Sequence, residues 1–349
     1  MDSDSRPRVF ATRSLPGGAL EALTGELELE VWPGPGAPAP EVLARAVAGA
    51  AGLLCLLTDR VDAPLLASCP ELRVVSSCSV GVDHVDLAVA TRRGIPVGHT
   101  PGVLTETTAD LAFSLLMAAA RRIPEADRFV REGHWTPARS WEPDLMLGRD
   151  VYGSTLGVIG LGAIGRAVAR RAQGFGMRVL GWNRTPGKAP PGVEQVPLDA
   201  LLRQSAFVSV HVARTDETIG LLGPRELAFL PSGAVLVNTA RGGIVDEVAL
   251  VEALRSGRLA GAGLDVYEQE PLPPDSPLLA APGLVLAPHI GSASVATRTR
   301  MAELSIANLR AGLAGERLPH CANPEVYDAH SEEGQRARKS RGETTRAPR

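Results

Sequence analysis

Short apolar runs alternate along this chain with stretches whose apolar positions recur at helical spacing. Arg8 to Thr12, Gly52 to Leu57, Arg73 to Ser76 and Ile95 to Val97 predict strands. Pro40 to Ala48 and Pro64 to Ser68 predict helices between them. Pro101-Gly102 punctuates the pattern, and a helix follows from Leu104 to Ala120. A Trp- and Pro-bearing irregular stretch, Gly133 to Gly148, leads into a second series. There, strands are predicted up to Gly160 and over Met177 to Trp182, Phe207 to His211, Ala234 to Asn238, Gly261 to Asp265 and Leu284 to Leu286. Helical patterns cover Arg166 to Gln173 and Ser294 to Leu313. Strands alternating with helices argue for parallel sheets, one in each half of the chain.

The segment Leu156-Gly157-Val158-Ile159-Gly160-Leu161-Gly162-Ala163-Ile164-Gly165 carries the most information. It places G-x-G-x-x-G between a strand and a helix, with a second strand beyond, which is the context that gives this motif meaning. Gly160 permits a tight turn, Gly162 lets backbone approach a pyrophosphate, and Gly165 lets helix and strand pack closely. The helix start at Ala163 and Ile164 offers free N–H groups and partial positive charge to phosphates. This is a dinucleotide-binding unit. An NAD site commonly sets Asp or Glu after the second strand to hold the ribose 2′-hydroxyl. Here that place holds Asn183-Arg184-Thr185, with Lys188 further on. A guanidinium suits a 2′-phosphate, so NADP is favoured and NAD remains open.

Length and composition narrow the class. The 349 residues suit two domains, and 44% hydrophobic and 21% charged residues with net charge −3 describe a globular protein. That balance predicts neither a nucleic-acid nor an acidic-membrane partner. The polar start, Met1 to Arg8, has no apolar signal core behind it. The longest apolar stretch, Leu111 to Ala120, is short of the ~20 residues that span a bilayer. Cys55, Cys69, Cys78 and Cys321 form no C-x-x-C pair, so reduced thiols and a cytoplasmic location are expected. No cluster has metal-ligand spacing, so no metal is expected. The tail from 329 to 349 is nearly free of apolar residues and reads as disordered.

Three late segments offer chemistry: Asn238 to Gly243, Leu264 to Pro271 and Ala287 to Ser292. Each follows a predicted strand, and ligands of open parallel sheets bind beyond the carboxyl ends of strands. Two such domains leave a cleft where reactants meet. A dehydrogenase acting on a 2-oxo acid needs a cation for the carboxylate, a proton donor for the oxygen and a group that tunes that donor. Arg241 fits the first role, His289 the second and Glu270 the third.

These segments make the resemblance specific. With Val80-Gly81-Val82-Asp83, Thr100-Pro101-Gly102 and Gly160 to Gly165, the chain resembles the D-isomer-specific 2-hydroxyacid dehydrogenase family up to about Tyr327. Leu53 to Asp59, Gly102 to Asp110 and Trp135 to Trp141 resemble its glyoxylate/hydroxypyruvate reductase branch. The resemblance implies two doubly wound parallel-sheet domains. A flavodoxin-like substrate domain would comprise residues 1–102 and 287–328, and a Rossmann cofactor domain residues 103–286. It implies catalytic roles for Arg241, Glu270 and His289, with substrate also held by Val80 and Gly81 backbone, Leu57, Ser292 and a Trp141 lent by the partner of a homodimer. Thr108, Ala213, Thr239, Asp265 and Gly291 join the glycines and Asn183 to Thr185 around the cofactor. NADPH-dependent reduction of glyoxylate to glycolate and of hydroxypyruvate to D-glycerate is the implied reaction. Apolar Leu56 and Leu57 favour a small, non-phosphorylated acid over the phosphorylated substrate of another branch such as phosphoglycerate dehydrogenase. A non-enzymatic, dinucleotide-sensing corepressor is the rival of a different class. The basic tail residues Arg336, Arg338, Lys339, Arg341 and Arg346 would serve it, though Glu332, Glu333 and Glu343 dilute them. Asp110, Arg214 and His99 depart from the usual Glu, apolar residue and Asn of the family.

Overall fold

Every strand in the two sheets of the computed structural model runs parallel to its neighbours. The structure describes residues 6–185, 187 and 189–328, so Lys188 and the tail expected to be disordered lie outside the described residues. The chain divides into two compact units, one of residues up to 104 and from 294, the other of residues 105–293.

The first unit contains β1 (Arg8–Ala11), β2 (Glu28–Val31), α1 (Pro40–Val47), β3 (Gly52–Cys55), α2 (Ala63–Ser68), β4 (Val74–Ser77), α3 (Leu87–Arg92) and β5 (Val97–Gly98). Its strand order is β2-β1-β3-β4-β5, so the order reverses between β1 and β3. Strands β3 and β4 are buried at every position, because helices cover both faces of a parallel sheet. Strand β2 escapes the sequence pattern. Its Glu-Leu-Glu-Val alternation is half-exposed at the sheet edge and lacks a buried run.

The second unit opens with α4 (Thr105–Ala120) and α5 (Ile123–Arg131), then β6 (Thr155–Ile159), α6 (Ala163–Gly174), β7 (Arg178–Trp182), β8 (Val193–Gln195), α7 (Leu198–Gln204), β9 (Phe207–Val210) and α8 (Pro224–Phe229). It ends with β10 (Ala234–Asn238), α9 (Glu247–Arg255), β11 (Leu259–Leu264) and β12 (Leu284–Leu286). The order β12-β11-β10-β9-β6-β7-β8 reverses between β6 and β9, beside the glycine turn. One apolar core lies on each face, one including Leu201, Leu236 and Leu250, the other Leu116, Val158 and Val168. The predicted strands of this half match observed ones to within a residue or two at each end.

The return of the chain differs from expectation. Residues 287–293 stay with the second unit, and α10 (Val295–Leu313) carries the chain back into the first. The cause is local: Ala287 N–H donates to the Leu264 carbonyl at 2.8 Å, and the next residues are clamped by Asp265. His289 therefore belongs to the cofactor unit. The first unit likewise runs on to Leu104 before α4 begins.

Beyond α10, fully buried Asn323 closes the first unit. Its Oδ1 accepts from Val97 N–H at 2.8 Å, while Nδ2 donates to the Ile95 carbonyl at 3.1 Å and Thr91 Oγ1 at 2.9 Å. Replacing it strands a buried N–H and a buried carbonyl. Asn323→Ala is expected to lower stability by about 1–3 kcal/mol, read as a lower urea midpoint; an unchanged midpoint contradicts this role.

Candidate active site

The glycine turn sits where the strand order of the second unit reverses. Gly160 has φ +100°, a conformation natural to glycine, and a Cβ there would meet the His211 backbone at 2.6 Å. A Cβ on Gly165 would collide with the Gly160 carbonyl, so the helix start can lie against the turn only with glycine there. Gly162 meets nothing within 4 Å. That freedom at the residue just before α6 is what close approach of a pyrophosphate to the helix start requires. Thr239 Oγ1, at the end of β10, is buried without a hydrogen-bond partner among the described residues, as expected of a group kept for a ligand.

The segment after β7 divides its duties. Asn183 Oδ1 accepts from Leu161 N–H at 2.6 Å and so holds the glycine turn itself. Arg184 and Thr185 are exposed, and the Arg184 guanidinium lies 2.5 Å from Glu217 Oε2. Glu217 belongs to a loop after β9 that Thr218 folds back by donating its hydroxyl to the Ala213 carbonyl at 2.7 Å. The local sequence after β7 contains no carboxylate, and nothing in it announces one arriving from residue 217. At the end of β9, close packing around the half-buried His211 ring holds that imidazole down to about 3. It is neutral at physiological pH, with Nε2 2.7 Å from Ser209 Oγ.

Arg241, Glu270 and His289 converge on the same unit. Asn238 accepts Ala240 N–H at 3.0 Å and donates to the Arg241 carbonyl at 2.9 Å, which fixes the turn that presents Arg241. Gly242 lets this turn press against the Tyr267 carbonyl, where a Cβ would collide. His289 Nδ1 lies 2.6 Å from Glu270 Oε2, and Glu270 Oε1 accepts Tyr267 N–H at 3.0 Å. Buried Asp265 completes the arrangement: Oδ1 accepts Ile290 N–H at 2.7 Å and Oδ2 accepts Gly291 N–H at 2.8 Å. This clamp follows directly on His289, whose φ of 53° is rare for a residue with a side chain. Thr108 Oγ1 donates to the Gly291 carbonyl at 3.1 Å, and Tyr267 O–H to the Ala287 carbonyl at 2.8 Å. Burial pushes the Tyr267 hydroxyl up to about 12, so it remains a donor. Ser292 is half-buried next to this clamp.

Burial alone drives Glu270 toward the neutral acid. The hydrogen bond and charge of His289, the Tyr267 N–H and the Arg241 charge together outweigh it and hold the carboxyl below its usual range. Asp265 is shifted the other way, because burial outweighs its two N–H donors and the His289 charge. A carboxylate anchored between an arginine and a histidine can stabilise a transient imidazolium, which is what a proton donor to a developing alkoxide requires.

The first unit shows how its Val80–Gly81 turn is held. His99 Nδ1–H donates to the Val80 carbonyl at 3.0 Å, and Ser79 Oγ to the Gly81 carbonyl at 2.7 Å. The bond to the Val80 carbonyl fixes the plane of the Gly81 N–H, and the Ser79 carbonyl, which accepts Thr100 N–H at 2.8 Å, fixes that of the Val80 N–H. His99 thus does structural work that its sequence context did not reveal. Leu57 is 40% exposed on a loop whose Leu56 N–H is bound by buried Asp59 at 2.7 Å. Burial pushes the Cys55 and Cys78 thiols up, so neither is a ready nucleophile. Trp141 is 79% exposed, and Asp110 is engaged with Arg171 on the surface of α4 and α6. Among the described residues no helix is long and apolar enough to cross a membrane, and no group of His, Cys, Asp and Glu is placed to hold a metal.

A histidine–carboxylate pair on the unit that carries the glycine turn suits an oxidoreductase that works with a nicotinamide cofactor, and this chain is of that class. Residues 113–291 match the sequence model of the D-isomer specific 2-hydroxyacid dehydrogenase, NAD binding domain. A glyoxylate reductase of Korarchaeum cryptofilum is 52% identical over 324 residues, spanning 92% of this chain and 97% of that one. A solved structure from Thermus thermophilus is 50% identical with TM-score 0.85, covering 90% of this chain and 99% of its own. An NADPH-dependent glyoxylate/hydroxypyruvate reductase of Sinorhizobium meliloti, solved with NADP and malonate, is 34% identical with TM-score 0.81 over 92% and 98% of the two chains. The chain belongs to the D-isomer-specific 2-hydroxyacid dehydrogenase family, in its glyoxylate reductase branch.

The lowered Glu270 carboxyl makes a pH prediction. Its ionised form is favoured by folding, so its contribution is present above the ordinary carboxylate value of about 4.3 and fades as pH falls through its folded value. Glu270→Gln removes that contribution. The gap in urea midpoint between the parent and this variant should therefore hold from about pH 7 to about pH 5 and narrow as pH falls below about 4; a gap independent of pH refutes the coupling.

Proposed function

We propose that this protein reduces small 2-oxo acids with NADPH, taking glyoxylate to glycolate and hydroxypyruvate to D-glycerate. The observation that carries the reading is the 2.6 Å His289–Glu270 pair on the unit that holds the dinucleotide cradle, with Arg241 close enough to influence Glu270. The names of the similar proteins support the substrate class. Exposed Arg184 supports NADPH, with NADH as the second cofactor.

When bound, the nicotinamide supplies the hydride. Arg241 grips the substrate carboxylate through its planar fork and polarises the adjacent carbonyl. The N–H groups of the fixed Val80–Gly81 turn provide the second anchor for that carboxylate. His289 delivers a proton from Nε2 to the carbonyl oxygen as hydride arrives, while Glu270 steadies the ring through Nδ1. In the reverse direction, neutral His289 removes the proton. Thr108, Thr239 and Asp265 serve the cofactor side in this reading, and Ser292 and Leu57 border the substrate.

Loss of NADPH absorbance with glyoxylate, hydroxypyruvate and pyruvate, repeated with NADH, tests the assignment. His289→Ala should lower kcat by about 10²–10⁴ with little change in KM. Arg241→Ala should raise KM and lower kcat, the latter by about 10²–10³. Near-parental turnover in His289→Ala refutes the acid, and tight dinucleotide binding without turnover on any acid turns the reading toward a binding protein.

We also propose a homodimer. Ile123, Val130, Trp135, Trp141 and Leu147 of the second unit are each more than half exposed, and α5 buries none of its residues. An apolar set of this kind calls for a partner, and the proposed partner is a second copy that receives Trp141. Sedimentation should give a dimer, and Trp141→Ala should raise KM while a monomeric parent would exclude the arrangement.

A further inference from the structure

The loops that follow β7 and β9 leave strands on either side of β6, whose end carries the glycine turn. Arg184 comes from the first loop and Glu217 from the second, and their side chains meet at 2.5 Å. Glu217 is not carried on a slack segment. Buried Thr218 ties its loop at three points, accepting Thr215 N–H at 2.8 Å, donating its hydroxyl to the Ala213 carbonyl at 2.7 Å and its N–H to the Thr215 carbonyl at 2.9 Å. A carboxylate and a phosphate monoester are rival acceptors for the same guanidinium face. Both side chains of the pair are more than half exposed, at 56% and 67%, so water screens the pair and a ligand can displace it.

We propose that Glu217 sets the balance between the two nicotinamide dinucleotides by competing with a 2′-phosphate for Arg184. The inference rests on the reading of Arg184 as the phosphate contact. With NADPH, Arg184 exchanges the carboxylate for the phosphate, and the Glu217 charge stays close to a second anion. With NADH there is no phosphate, and the pair is left as it is. Glu217 therefore penalises one cofactor and spares the other, which makes it a specificity determinant although it lies outside the segment where sequence reading looks for one.

Titrating the cofactors by nicotinamide fluorescence, in the absence of substrate, tests this on the full chain. Glu217→Gln should tighten NADPH binding by about threefold to tenfold at low ionic strength and leave NADH within about a factor of two. The gain should shrink at ~0.5 M salt, where exposed charges are screened. Arg184→Ala is measured alongside and should weaken NADPH while sparing NADH. If Arg184→Ala leaves NADPH binding unchanged, the phosphate reading of Arg184 fails and the inference falls with it. If Arg184→Ala weakens NADPH but Glu217→Gln does not alter the ratio of the two cofactors, the inference alone is overturned. An undiminished gain from Glu217→Gln in the Arg184→Ala background would mean simple repulsion and would also overturn it. Both positions are exposed, and melting curves of the variants should match that of the parent.

Discussion

The candidate site depends on a buried carboxylate binding two consecutive backbone N–H groups. Asp265 stands at the end of β11, and its two oxygens take the N–H groups of Ile290 and Gly291. Those bonds hold the chain after β12 against the sheet it has just left, in a course that obliges His289 to adopt a left-handed backbone. Such a conformation persists only where its surroundings over-determine it. Here the neighbours on each side are pinned, by Tyr267 at Ala287 and by Thr108 at Gly291. The imidazole is thereby delivered to Glu270, whose own position is set by the Tyr267 N–H.

Around this clamp the chemistry is divided among short turns, each fixed by one side chain. Asn238 shapes the turn of Arg241, Asn183 the glycine turn, Thr218 the loop of Glu217, and Ser79 with His99 the turn of Val80 and Gly81. In every case a short polar side chain satisfies backbone groups that a loop would otherwise leave to water. Arg241 also donates from Nη1 to the Ala240 carbonyl at 2.7 Å, His289 bonds Glu270 rather than backbone, and a Cβ on Gly162 just before α6 would meet nothing within 4 Å.

Much of this was legible because parallel sheets write themselves as apolar runs. Strands buried on both faces, such as β10, are continuous in the sequence and were located by pattern. Of the four edge strands, β5 and β12 were located as well, but β2 and β8 were not, because their Glu-bearing sequences, Glu28-Leu29-Glu30-Val31 and Val193-Glu194-Gln195, contain no apolar run. Helix α5 has an amphipathic sequence but no fully buried residue, so no core pattern marked it. The common unit of Arg241, Glu270 and His289 was legible because each comes after a strand in the half that carries the glycine motif, and their roles remain those proposed above. The return point of the chain was misplaced because hydrogen bonds from Asp265, invisible in hydrophobic periodicity, outweigh the punctuation of the sequence. Glu217 could not be found from spacing to the glycine motif, because its approach to Arg184 is a tertiary event.

The placement of residues 287–293 has a consequence for how this architecture can change. Because His289, Glu270 and the glycine turn share one folded unit, their mutual geometry is inherited as a block. Leu56, Leu57 and the Val80–Gly81 turn are inherited separately, in the other. The hydrogen bonds described around His289 are all made by residues of its own unit. In the proposed reaction, the fold thus separates the vocabulary of recognition from the grammar of hydrogen transfer, so that the first can diversify while the second stays fixed.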